Sequence, residues 1–219
     1  IGKTVVFFNI FGCLLANRIV SSSRDYAKNS LVLNKFLKKT KIIYPPIKDY
    51  SNLKITVKKK SSLDKNFFGV SNKIAYVGRI AADKGVEYLL QSIPCLKEQL
   101  GNFKIYLVGP KKAIGEEDYF KKIELLKRKY KDYIFCLGFL TDEEFFHFYK
   151  QMDVLVLPSV NSTEAFGMVQ VEAMFCGLPV VTTNLPGVRL PIKLTGMGKI
   201  VPIRDSKGIA GAVIEILRN

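Results

Sequence analysis

Two short apolar runs, Val154–Leu157 and Val180–Thr183, frame the stretch at 156–183 that most constrains this chain: VLPSVNSTEAFGMVQVEAMFCGLPVVTT. Both runs read as strands. Between them lie a polar loop at 159–163 and a segment of helical length at 167–176. Gly177 suits the residue just past a helix end, and Pro179 blocks continuation. Strand, loop, helix and strand in that order make a βαβ unit, which demands a parallel sheet covered by helices.

The loop-to-helix junction is where such a unit meets ligands. The first turn of a helix has free backbone N–H groups and a partial positive charge, so it can hold a phosphate without any special side chain. Gly167 stands at the junction, where a missing side chain would let a bulky anion approach the backbone. Glu164 precedes it, and Glu172 lies about one and a half turns into the helix. Ionised carboxylates only accept hydrogen bonds, so these two suit the paired hydroxyls of a sugar rather than a phosphate.

The segment Glu-Ala-Phe-Gly-Met-Val-Gln-Val-Glu, 164–172, resembles the two-glutamate motif of retaining GT-B glycosyltransferases of group 1, also called family 4. Seven residues separate the acids, and Ala173, Gly177, Pro179 and Val180 continue the same pattern. The resemblance implies that Glu164 contacts the transferred sugar and Glu172 the ribose of the nucleotide. The backbone of Phe166, Gly167, Met168 and Val169 would then face the diphosphate.

A second stretch, Val-Gly-Arg-Ile-Ala-Ala-Asp-Lys-Gly-Val at 77–86, resembles another hallmark of that family. It follows a predicted strand at 74–77 that ends at Gly78. In the resembling family, the residues matching Arg79 and Lys84 clamp the donor diphosphate. Independently of the family, both cations fall on a loop after a strand, at the edge of the sheet where open α/β folds bind ligands. By the same carry-over, the backbone near Gly138 and Leu140 borders the nucleobase.

The rest of the chain repeats strand and helix. Helices are predicted at 86–100, with a break near Gln91 ahead of Pro94, and at 116–130, 167–176 and 206–217. Strands are predicted at 104–108, 133–137 and 198–202, and a loop with a short helix at 186–190. Thr141 and Glu144 form a capping-box pattern ahead of the aromatic-rich segment at 145–149, which suits packing between layers. His147 is the sole histidine and reads as structural. Before this domain, residues 18–22 and 41–44 read as strands and 25–38 as a helix, ending at Pro45 and Pro46.

The expected fold is α/β of GT-B type, a Rossmann-like parallel sheet flanked by helices with a truncated first domain. Residues 1–47 are expected to be the remnant of an N-terminal acceptor domain, 48–70 a hinge, and 71–219 the nucleotide-sugar-binding domain. The first residue is Ile1, so a partial or processed chain is expected. The apolar run at 5–15 is too short to span a bilayer and is expected to be a buried helix of the first domain.

Charge is unevenly spread. The formal net charge is +15, and residues 1–65 hold fourteen Lys and Arg against three Asp and Glu. That excess fits an anionic membrane surface, nucleic acid, nucleotide-sugars, or a solvated lysine-rich face. Basic residues are not interleaved with aromatics as in a nucleic-acid module, so no nucleic-acid partner is expected. The four cysteines lack metal or redox spacing and suit buried thiols in a reducing compartment. The expected location is the cytoplasm, including the inner face of a membrane.

The expected reaction is transfer of a sugar from a nucleoside diphosphate sugar to a glycan, lipid or small-molecule acceptor, with no further cofactor. No Asp-x-Asp occurs, so cations rather than a metal are expected to balance the diphosphate. Another GT-B enzyme, such as a sugar phosphorylase or nucleotide-sugar epimerase, is the alternative. A nicotinamide oxidoreductase is disfavoured, because no G-x-G-x-x-G follows a strand.

Overall fold

The structure is a computed structural model that describes residues 3–48, 67–110 and 115–218. Its centre is a six-stranded, all-parallel sheet. The strands are β3 (Asn72–Val77), β4 (Phe103–Val108), β5 (Ile134–Gly138), β6 (Val154–Leu157), β7 (Val180–Thr183) and β8 (Gly198–Val201). Their spatial order is β5-β4-β3-β6-β7-β8. The chain therefore starts in the middle, builds outward to one edge, then crosses back and builds to the other. That is the doubly wound order of Rossmann-like sheets, with its switch point between β3 and β6.

The sequence explains why each strand is buried twice. Ile74 and Tyr76 face one side with Ile105, Leu107, Val154 and Val156, while Ala75, Val77, Tyr106, Val108 and Leu155 face the other. Two apolar sets alternating along one strand are what a period of two requires of a sheet covered on both faces. The first face is covered by α3 (Val86–Gln91), α4 (Ile93–Leu100), α5 (Glu117–Lys129) and α9 (Ser206–Arg218). The second carries α6 (Asp142–Gln151), α7 (Met168–Phe175) and α8 (Leu190–Thr195).

Local signals behave as their chemistry dictates. The helical stretch at 86–100 divides at Ser92, which leaves Pro94 in the first turn of α4, where its missing N–H is harmless. Thr141 and Glu144 close the capping box of α6 in both directions. The short helix foreseen near 186–190 forms slightly later, as α8.

The first segment holds α1 (Lys3–Leu15), β1 (Ile19–Ser21), α2 (Arg24–Asn29) and β2 (Thr40–Ile42), with β1 and β2 paired in parallel. Two expectations fail here. The helix predicted over 25–38 stops at Asn29. Ser30 turns extended, and its hydroxyl accepts from the N–H groups of Val32 and Leu33 at 3.4 and 3.3 Å. A serine side chain has outcompeted the helix for those donors. The chain then resumes as a 3-10 turn, Leu33–Phe36. The run at 5–15 is helical but not buried: Phe7, Phe8, Leu14 and Leu15 are all more than half exposed. Hydropathy selected the helix, but only the side carrying Val6, Ile10 and Cys13 is half-buried, and Lys39 caps its end at the Leu14 carbonyl at 2.9 Å.

Most of the stretch read as a hinge lies outside the described residues. Phe67, near its end, is buried, with its ring 5.1 Å from that of Tyr106. Among the described residues, no helix is long and apolar enough to cross a membrane. None of the four cysteines forms a disulfide; Cys176 is buried and the others are half-buried.

Candidate functional site

In a parallel sheet every strand ends on the same side, so the loops after β3, β4, β5 and β6 gather at one edge. They are tied together by backbone bonds. Gly78 N–H donates to Val108 O at 2.9 Å, Gly109 N–H to Gly138 O at 2.8 Å, and Val160 N–H to Asp83 O at 3.0 Å. Gly85, in the left-handed region at φ 63°, lies so close to the Pro158 carbonyl that any Cβ would strike it. The loop at 78–85 is thereby pressed against the loop at 158–167.

Lys84 and Glu164 meet at this seam. Lys84 Nζ lies 2.5 Å from Glu164 Oε2, and their side chains are only 19% and 17% exposed. The other carboxylate oxygen of Glu164 accepts from Gly167 N–H at 3.1 Å. Glu164 thus bridges a cation from one loop to the start of α7, and the shielding strengthens both bonds. Asp83 lies 3.8 Å from Lys84 and 3.5 Å from Arg79. Arg79 is the open member of the group, with a side chain 56% exposed.

Gly167 needs to be glycine for a reason other than ligand access. Its φ is 73°, and a Cβ there would sit 2.6 Å from Leu157 Cδ2 and 2.7 Å from Gln170 Nε2. The crowding is internal, and its N–H is already bonded to Glu164. The N–H groups of Met168 and Val169 precede the first bond of the helical turn, Gln170 N–H to Gly167 O at 3.1 Å. In the first turn of a helix such groups have no intrahelical acceptor. Met168 is about half exposed and Val169 half-buried. The Phe166 ring packs against Tyr44 of the first segment, 5.9 Å between centroids.

Glu172 stands apart from this group. It lies half-buried on α7, facing α6, where Tyr149 OH donates to its Oε2 at 3.4 Å. Burial raises its pKa above the ordinary 4.5; the Tyr149 bond and the charge of Lys48 oppose the rise, and Asp142 adds to it. Gly138 and Leu140 lie further along the same edge, beyond β4, and the Gly138 carbonyl is engaged by Gly109.

Several contributors carry no motif. Tyr76 is fully buried, and its hydroxyl donates to the Arg79 carbonyl at 2.6 Å, fixing the loop from below. Burial above all, then nearby negative groups including Asp83 and Glu164, keep that hydroxyl protonated far above the usual range. Glu116 Oε2 accepts from Ala82 N–H at 2.6 Å and holds the same loop from another side. Gln170, fully buried, spans Phe166 O and Val188 O with its amide, both at 2.8 Å. Only Asp83 had a visible signal, an acid between two cations in the loop.

Among the described residues, no group of three His, Cys, Asp or Glu is placed to share a metal ion. Beside Ser162 a cavity of about 330 Å³ opens between the loop and the first segment, lined in part by Tyr26, Asn29, Ser30, Leu33 and Pro186.

Known proteins agree with this architecture. The crystal structure of Anabaena HepE in complex with UDP and glucose superposes with a TM-score of 0.80 at 21% identity, over all of this chain and 58% of that one. Sucrose-phosphate synthase from Thermosynechococcus elongatus gives 0.77 at 23% identity, over all of this chain and 53% of that one. At such identities the likeness is one of fold, and these folds are GT-B. In sequence, an uncharacterized glycosyltransferase of Methanocaldococcus jannaschii is 33% identical over 144 residues, 66% of this chain and 35% of that protein. The capsular polysaccharide biosynthesis glycosyltransferase CapM of Staphylococcus aureus is 30% identical over 171 residues, 77% and 41% of the two chains. The chain thus spans well under half the length of these curated relatives. The family model for glycosyl transferases group 1 matches residues 57–219, and the chain belongs to that family.

Proposed function

We propose that this chain carries the donor half of a retaining glycosyltransferase of family 4, which moves a sugar from a nucleoside diphosphate sugar to a glycan or lipid acceptor. Residues 1–47 are read as the end of an acceptor domain, 48–70 as the connection, and 71–219 as the donor domain. The observation that carries the proposal is the Lys84–Glu164 pair, 2.5 Å apart at the switch point of the sheet and bonded onto the start of α7.

The difficulty in glycosyl transfer is the departing diphosphate, whose charge grows as its bond to the anomeric carbon breaks. Lys84 has three N–H donors and spends one on Glu164, so two remain for phosphate oxygens. Arg79, exposed beside it, adds a planar fork suited to the same anion. The N–H groups of Met168 and Val169 complete the cradle from the helix side. These cations balance the leaving group. Glu164 orients the sugar hydroxyls against that cradle, and Glu172 takes the ribose hydroxyls. The backbone of Gly78, Gly138 and Leu140 lines the rest of the nucleotide. With no protein nucleophile assigned, the acceptor hydroxyl attacks from the face the diphosphate leaves and gives its proton to the departing phosphate oxygen, which retains the anomeric configuration.

The names of the relatives support the acceptor class. They include a capsular polysaccharide biosynthesis enzyme of Staphylococcus aureus and a phosphatidyl-myo-inositol mannosyltransferase of Mycobacterium leprae. The cavity beside Ser162 suits the acceptor's approach.

Calorimetric titration with UDP, GDP and ADP tests the donor site. One of the three binds, and Lys84→Ala weakens it by about 1.5–3 kcal/mol, the worth of a charge-assisted bond. Unchanged affinity in that variant would refute the cradle.

A further inference from the structure

The residue after Glu164 is held from the far end of the chain. Ser22 Oγ donates to the Ala165 carbonyl at 3.1 Å. Gly187 packs its backbone against that same carbonyl, at φ 83°, with no room for a Cβ. Gly187 N–H in turn donates to Asp25 Oδ2 at 2.8 Å. Arg189 forks onto both oxygens of Asp25, Nε to Oδ2 at 2.9 Å and Nη2 to Oδ1 at 2.7 Å. Its third nitrogen, Nη1, donates to Asn184 Oδ1 at 3.1 Å. The Asp25 and Arg189 side chains are 22% and 19% exposed, so water competes little for the pair.

We infer that Ser22, Asp25 and Arg189 form a clasp that sets the position of the turn at 164–167. They are positioning residues for Glu164, a role that rests on the donor site proposed above. A single flexible ion pair would not fix a turn. An arginine fork fixes direction as well as distance, and here it is joined to two main-chain contacts. The Ala165 carbonyl belongs to the residue next to Glu164. Holding it from Ser22 and Gly187 leaves few free dihedrals between the clasp and the Glu164 carboxylate. Tyr26 and Pro186, the chain neighbours of Asp25 and Gly187, line the cavity beside Ser162.

The readout is hydrogen exchange of the Gly167 amide, the group bonded to Glu164. Ser22→Ala and Asp25→Asn are expected to speed that exchange at least about fivefold, the factor that the loss of one modest bond yields. Exchange at Ile105 in β4 is the reference and should move far less. Ser22→Thr keeps the hydroxyl and should restore the original rate. Ile123→Val, a trim of the core cluster that also holds Ile105, controls for general loosening and should speed exchange at Ile105 at least as much as at Gly167. No selective change at Gly167, or equal acceleration at Gly167 and Ile105, would overturn the clasp. If exchange responds as stated while UDP, GDP and ADP give no binding heat with the unaltered chain, the clasp stands and the donor reading falls.

Discussion

Single residues divide here by whether their role is written in their own neighbourhood. Lys84 and Glu164 sit in recognisable motifs, and the structure brings them within 2.5 Å. Tyr76 sits in a strand where a tyrosine reads simply as core. Its polar end matters because the chain turns back over it, so that the Arg79 carbonyl falls above its hydroxyl. That proximity is a product of the β3-to-α3 loop and has no spacing signature. Tyr76→Phe deletes one buried donor and leaves the Arg79 carbonyl unsatisfied. A loss of about 1 kcal/mol in urea unfolding is expected, with a weaker nucleotide titration than its small stability cost alone would give. Full retention of both would show that the hydroxyl does not hold the loop. Gly167 teaches the converse. Its glycine was legible, but the reason was not, because the crowding atoms belong to Leu157 and Gln170. Gly167→Ala combines a left-handed φ with that crowding and should cost more than about 2 kcal/mol, read as a lowered urea midpoint.

Elements were legible where their signals are local. All six strands of the main sheet fall within a residue or two of their predicted places, because short apolar runs closed by glycine or proline admit few alternatives. The capping box of α6 was readable for the same reason: both halves lie within four residues. Thr141→Ala should lower stability by about 1 kcal/mol, and Thr141→Ser should recover most of it, as followed by thermal unfolding. The helix foreseen at 25–38 failed because Ser30 offered its neighbours a competing acceptor. The burial of α1 was not legible because hydropathy specifies a preference and not the surface that meets it. Glu172 shows the same limit in charge. Its spacing from Glu164 was readable, but its contact with Tyr149 on α6 depends on how two helices cross.

At the scale of the whole molecule, the first segment and the main sheet are joined by the Asp25–Arg189 fork. The Arg189 bond and, less strongly, the Gly187 amide hold the Asp25 carboxyl below its ordinary 3.8, against the opposing effect of burial. A carboxylate with a depressed folded pKa stabilises above its unfolded value, and that contribution fades as pH falls through the folded one. The stability it supplies is therefore intact at neutral pH and begins to decline only below about 3.8. Asp25→Asn should lose roughly 1–2 kcal/mol at neutral pH and show a flatter decline in the acid range. Parallel acid-unfolding curves for the two proteins would deny the pair any such role.

The strand order has a consequence for how the protein comes to exist. Ribosomes deliver β3 before any of its sheet partners. One flank of β3 is covered as soon as Phe103–Val108 emerges, but the other stays bare until Val154–Leu157 follows. A nascent chain halted between those points carries an apolar, unpaired edge, the kind of surface that chaperones recognise and aggregates exploit. The crevice between β3 and β6 does not exist in such a chain, so nothing that binds in that crevice can steady it until Val154–Leu157 has paired.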